Sequence, residues 1–251
     1  ETYPNDENAP VARLRAGLLR YRDGDPVSAQ TAWNDLVAWY PYSKQAQGAR
    51  FWLGKTYLQA GNVVSATDVL SAATALGPWD FYGLRAADLL KGRDPFSPTG
   101  APVTPCGSAA EQAAAETWLA GWLGLESSAG LATLPPELLD NVFLRRGTLL
   151  LRLGHFDEGR ADLEALREAT VGNALTQYQL ALYFRDIGLY RSSIIAASTV
   201  WRLSGAPPIQ EAPRFLGCLI YPTYYGELVE SEAAARNLSP LFVYALLRQE
   251  S

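Results

Sequence analysis

The chain has 251 residues, 48% of them hydrophobic, with 21 Lys+Arg against 26 Asp+Glu, a formal net charge of −5 and a pI near 5.0. That length allows one large domain or two smaller ones with a proper core. The acidic balance and the absence of any basic block argue against nucleic acid as a partner, and without a run of 18 apolar residues nothing is expected to span a membrane. The sequence starts at Glu1 and contains no methionine, as expected of a processed or trimmed product whose targeting signal has gone. Cys106 and Cys218 leave two readings open, a disulfide in an oxidising compartment or two small buried thiols.

In chain order, the first signal is a repeat. Leu53, Gly54, Tyr57, Gly61, Ala66, Leu70, Ala73 and Pro78 have the spacing of a tetratricopeptide unit. Gly54 and Ala66 let two helices approach closely, Tyr57 fills the seam, Gly61 supplies the turn and Pro78 stops the second helix. The same pattern gives an earlier unit with Gly17, Gly24, Ala29, Trp33 and Pro41. Two later units carry Gly147, Gly154 and Leu163, then Ala181, Phe184 and Gly188. The turn glycines Gly24 and Gly61 are 37 positions apart, and Gly154 and Gly188 are 34 apart. Sustained period-two alternation is lacking, so the expected fold class is all-α, built as tetratricopeptide-like helical hairpins in a superhelix or solenoid. The alternative is a non-repeating helical bundle.

Composition divides the chain into four stretches: residues 1–94 as N-terminal repeats, 95–107 as a Pro-rich connector, 108–220 as a second repeat set and 221–251 as a linker helix with a further helix start. The connector carries Pro95, Pro98, Pro102 and Pro105 and cannot be helical. Trp118 and Trp122 form an i, i+4 pair, and Leu134-Pro135-Pro136 is expected to open the next helix. Phe81 and Tyr82, after Trp79-Asp80, are expected to pack over the following helix. Gly205-Ala206-Pro207-Pro208 ends the last clear repeat.

Few side chains suggest chemistry. His155 is the only histidine and reads as a turn residue, because no Cys or carboxylate stands near it at metal-ligand spacing. There is no nucleophile elbow, phosphate loop or dinucleotide fingerprint. Glu227, Glu230 and Glu232 read as the wet face of an amphipathic helix. The last helix is different. Ser239 is suited to cap it, Pro240 suits its first position, and Val243, Leu246, Leu247 and Glu250 share a face. A carboxyl in apolar surroundings holds its proton nearer neutral pH, as a general acid requires. The plain alternative is a solvated glutamate near a frayed chain end.

The run Tyr244-Ala245-Leu246-Leu247-Arg248-Gln249-Glu250-Ser251 resembles the segment that opens the catalytic domain of soluble lytic transglycosylases. Pro213-Arg214, Tyr221-Pro222, Tyr225, Leu228-Val229 and Leu238-Ser239-Pro240 are similar to the pattern upstream of it. The run Trp79 to Ala87 is similar to the family's superhelical part, whereas 95–135 carries no recognisable motif. The resemblance implies that Glu250 is the catalytic acid of a peptidoglycan lytic transglycosylase. A single glutamate would protonate the leaving oxygen of the β-1,4 bond between N-acetylmuramic acid and N-acetylglucosamine, then act as base while the muramic 6-hydroxyl attacks, giving a 1,6-anhydro product. It also implies no cofactor and no metal, peptidoglycan glycan strands as partners, cell-wall proteins on a concave face, and an extracytoplasmic location in the periplasm or cell envelope. The family's other substrate-binding residues lie beyond the signature glutamate, so this chain alone is expected to be inactive. The competing expectation is a tetratricopeptide-type protein–protein interaction adaptor with no catalytic activity.

Overall fold

Paired small residues and turn glycines dictate the local structure. The computed structural model describes residues 6–93 and 107–250, which hold fourteen α-helices and no strand. The chain divides into two compact units, Glu1–Ser97 and Pro98–Ser251. Apart from Gly107, the Pro-rich connector 95–107 lies outside the described residues, as does Ser251.

The first unit contains α1 (Ala9–Arg22), α2 (Pro26–Trp39), α3 (Lys44–Gln59), α4 (Val63–Leu76) and α5 (Phe81–Leu90). Short polar side chains start the middle three: Asp25, Ser43 and Asn62 accept hydrogen bonds from the amides of Ser28, Ala46 and Ser65 at 3.0–3.1 Å. Gly24 and Gly61 turn the chain between α1 and α2 and between α3 and α4 in the left-handed region, at φ +83° and +74°. Each pair then closes on a glycine. Gly17 faces the ring of the fully buried Trp33, and Gly54 faces Leu70, with no room for a Cβ at either. The Trp33 indole N–H donates to the Leu14 carbonyl at 3.3 Å, so its polar atom is satisfied. Tyr82 at the start of α5 packs on Phe51, with ring centroids 5.5 Å apart. Phe81 beside it is 68% exposed, so only Tyr82 of the expected pair is a packing group.

The second unit contains α6 (Ala109–Leu123), α7 (Pro136–Leu139), α8 (Val142–Arg152), α9 (Phe156–Ala169), α10 (Ala174–Asp186), α11 (Tyr190–Leu203), α12 (Arg214–Ile220), α13 (Gly226–Ala235) and α14 (Pro240–Glu250). α8 packs on α9 and α10 on α11, with Gly154 and Gly188 in the left-handed turns. Leu134-Pro135-Pro136 does open a helix, but α7 lasts four residues. Asn141 then starts α8 afresh, accepting from the amides of Phe143 and Leu144. A side chain that satisfies two orphan amides at once outweighs the continuous apolar pattern around it.

The largest apolar core joins α6, α10, α11 and α12 through residues such as Leu119, Tyr178, Val200, Phe215 and Leu219. The stretch 109–123, which carries no motif, is thus a wall of this core. Trp118 packs on it, and the exposed Trp122 lies against Trp118 with ring centroids 5.6 Å apart. Glu111 closes a capping box with Ser108 and also pairs with Arg214 at the start of α12. Cys218 on α12 is disulfide-bonded and not a buried free thiol; Cys106, the other cysteine of the sequence, lies outside the described residues.

Candidate functional site

α14 begins with Pro240 in its first turn and the Ser239 backbone carbonyl, in place of the expected hydroxyl cap, accepting from the amides of Phe242 and Val243. Its inward face is not the expected one. Tyr244 is its only buried residue, with Pro240, Val243 and Arg248 half-buried, so of the expected face Val243 alone turns partly inward. Leu246 and Leu247 are 47% and 45% exposed, and Glu250 is exposed too. The glutamate therefore lacks the apolar surroundings predicted for it, and it makes no hydrogen bond or ion pair among the described residues.

The physical reason lies in the segment α14 rests on. The Arg248 Nε donates to the Ile220 carbonyl at 3.2 Å, its guanidinium lies 6.0 Å from the Tyr221 ring centre, and the Tyr244 hydroxyl reaches the Thr223 carbonyl at 3.5 Å. The Ile220 carbonyl is at the last residue of α12 and the Thr223 carbonyl lies just beyond it, and both need donors. A tyrosine and an arginine supply an apolar body and a donor together, which leucines do not. Burial holds the Tyr244 hydroxyl pKa above its ordinary range, with the Glu230 charge adding to the effect.

Docking α14 in this way encloses a pocket of about 500 Å³ within the second unit. Its walls come from α9 (Arg160), the turn and first residues of α11 (Leu189, Tyr190, Arg191), the loop before α13 (Pro222, Tyr224, Tyr225) and α14 (Tyr244, Leu247, Arg248). Tyr190 and Tyr224 stack with centroids 4.1 Å apart, and Tyr225 stands edge-on to Tyr190 at 6.0 Å. Tyr225 caps α13 in the left-handed region, at φ +61° and ψ +34°. For a bulky side chain that conformation costs about 1–2 kcal/mol, and such strain gathers at binding and catalytic sites. The Tyr224 hydroxyl is buried, facing Ser193 without a hydrogen bond of normal geometry, and burial is the main cause holding its pKa above the ordinary value.

Three arginines and no carboxylate line the pocket. Arg160 is held by Asp157 at 2.7 Å, whereas Arg191 and Arg248 have no ion pair among the described residues. No side chain caps α11, and its first backbone bond runs from the Ser193 amide to the Leu189 carbonyl. The amides of Tyr190, Arg191 and Ser192 are therefore left without helical partners at the pocket wall.

Glu250 does not line this pocket, and among the described residues no other carboxylate lines it either. His155 sits exposed at the start of α9, and Glu227, Glu230 and Glu232 are exposed on α13. Among the described residues no group of three or more His, Cys, Asp or Glu could hold a metal, and no helix is long and apolar enough to cross a membrane. Sequence reasoning missed Tyr190, Arg191 and Tyr224; the available signal was Leu-Tyr-Arg after the turn glycine Gly188, where a helix start ordinarily carries a cap or an acid. The second unit is thus an all-α body with a tyrosine–arginine pocket closed by its last helix. Comparison of the chain with protein-family models, with curated proteins and with solved structures finds no match.

Proposed function

We propose that this chain is the helical scaffold region of a peptidoglycan lytic transglycosylase, with its paired helices continuing as a tetratricopeptide-like superhelix. In the parent protein Glu250 would be the single catalytic acid, acting on the β-1,4 bond between N-acetylmuramic acid and N-acetylglucosamine. One observation carries the reading. The two separate parts of the sequence resemblance meet at one contact: the Arg248 guanidinium of the terminal motif lies 6.0 Å from the ring centre of Tyr221 of the upstream pattern, and Arg248 and Tyr244 bond the carbonyls of its neighbours Ile220 and Thr223. A chance match in two places gives no reason for Arg248 to lie against Tyr221.

A glycosidase ordinarily needs two carboxylates flanking the bond. With one, Glu250 would protonate the leaving oxygen, then take the proton of the muramic 6-hydroxyl as that oxygen attacks the anomeric carbon, giving the 1,6-anhydro sugar. An acid of this kind works when desolvated. The exposed Leu246 and Leu247 beside Glu250 are the surface that further residues of the parent would cover. The chain by itself is then inactive, and its disulfide at Cys218 fits an extracytoplasmic location, where such bonds persist. The test is Glu250→Gln in the parent protein on purified sacculi, with anhydromuropeptides followed by mass spectrometry. Release should be abolished while sacculus binding and the melting curve are kept; undiminished release removes Glu250 from the acid role.

A second reading, a non-catalytic adaptor, is favoured by the pocket itself, whose tyrosines and arginines suit binding and which holds no carboxylate. Sacculus binding absent in both parent and chain, with no anhydro product from either, would favour the adaptor.

A further inference from the structure

The pocket has a chemistry that the exposed glutamate does not use. We infer that it binds a small sugar or sugar-like ring carrying one anionic group, carboxylate or phosphate. The ring would lie against the Tyr190–Tyr225 wall and the anion between Arg191, Arg248 and the open start of α11.

The argument begins with charge. In a chain of net charge −5, three arginines line one cavity that no aspartate or glutamate lines. Arg160 already has Asp157, but Arg191 and Arg248 make no ion pair among the described residues. Arg191 stands in the first turn of α11, the end at which the helix dipole disfavours a cation. Neither a capping side chain nor an acidic residue offsets it there. One anion would answer the uncapped amides and both arginines together.

The rest of the wall sets what carries the anion. Tyr190, Tyr224, Tyr225 and Tyr244 give flat faces beside hydroxyls, with Pro222 and Ile194 adding apolar surface. A free inorganic ion would leave those faces unused, and a purely apolar ligand would leave the arginines unanswered. Tyr225 is held in a left-handed conformation that projects a ring 64% exposed to solvent. A large aromatic kept exposed at a backbone cost is better explained by a ligand face than by packing. A pocket of about 500 Å³ is in the range of small-molecule sites.

The inference is independent of the peptidoglycan reading, and its probes contain no cell-wall fragment. Binding to the full chain is measured by calorimetry with D-glucuronate, D-glucose 6-phosphate, D-glucose and inorganic phosphate. One of the two anionic sugars should bind about tenfold or more tighter than glucose, as a charge-assisted arginine contact requires; which one binds better tells carboxylate from phosphate. Arg191→Ala, which removes an exposed side chain with no ion pair, should abolish that preference with the melting curve unchanged. Tyr225→Asn, which suits the left-handed backbone, should keep the fold and weaken both anionic sugars. No binding at millimolar concentrations, equal binding of glucose and its anionic forms, or phosphate binding as tightly as glucose 6-phosphate would each overturn the inference. So would an unaltered preference in Arg191→Ala.

Discussion

The close contact between α8 and α9 can be tested by adding one methyl group. A Cβ at Gly147 would lie 2.8 Å from Leu163 Cγ, 2.9 Å from the Gly159 carbonyl oxygen and 3.1 Å from Asp162 Cβ. Comfortable carbon contacts are about 3.5–4.0 Å. Leu163 is completely buried and cannot swing aside, and the Gly159 oxygen is backbone, so the two helices must part. A gap of about 0.5–1 Å forfeits a quarter to a half of each contact's dispersion energy, and overpacking of this kind costs about 1–3 kcal/mol. Against this, alanine is the better helix former by about 0.8–1.0 kcal/mol. The net expectation for Gly147→Ala is destabilisation, by up to about 2 kcal/mol. Gly121→Ala in α6 is the control: nothing lies within 4 Å of the added methyl, so only the helix-propensity gain of about 0.5–1 kcal/mol remains. Circular-dichroism melts should move in opposite directions, by about 2–4 °C per kcal/mol. Equal upward shifts in both variants would refute the close approach of α8 and α9.

Two further substitutions probe polar contacts. Tyr178 is buried and donates to Glu116 at 3.1 Å, joining α10 to α6, and burial pushes its pKa far up. Tyr178→Phe should cost about 0.5–1.5 kcal/mol at neutral pH. A raised folded-state pKa gives stability that is present below the unfolded value of about 10 and fades as pH climbs above it, so the variant should also lose less on alkaline titration than the parent chain. Asp162 takes two hydrogen bonds at 2.5 Å from the Arg146 guanidinium, which holds its carboxyl below the usual carboxylate range. Its contribution is present above the unfolded value of about 3.9 and is lost as pH falls through the lower folded value. Asp162→Asn should lower the melting temperature at pH 7 and flatten the acid limb below about pH 4, and an unchanged acid limb would count against the pair.

The helix pairs were legible because each needs glycine twice, for reasons that leave the same letter in the sequence. Gly17, Gly54 and Gly147 are where a partner leaves no room for a Cβ, and Gly24, Gly61, Gly154 and Gly188 are where φ is positive. Both demands are local or act across one turn, so spacing along the chain exposes them. The role of α6 was not legible, because its partners on α12 are about a hundred positions away; the Glu111–Arg214 pair has no signature in either segment. The end of α7 was missed for a different reason. Leu138-Leu139 and Val142-Phe143-Leu144 read as one apolar run, and only the Asn141 cap divides it.

The site failed in the sequence at the choice of face. Periodicity ranks positions by apolarity and so selected Val243, Leu246, Leu247 and Glu250, whereas α14 docks through the donors on Tyr244 and Arg248. The unmet carbonyls of Ile220 and Thr223 decide that outcome, and no window of sequence displays an unmet carbonyl. The pocket is harder still to read, since four separated segments make its walls and the left-handed Tyr225 stands where only glycine or asparagine would announce such a turn. One consequence follows from the shared residues. Tyr244 and Arg248 both fasten α14 and line the cavity, so the cavity exists only while α14 is docked. A ligand touching Arg191 on one wall and Arg248 on the other binds that docked state alone, and by mass action must stabilise it. The helix that carries Glu250 would then be steadied by whatever fills a pocket the glutamate does not enter.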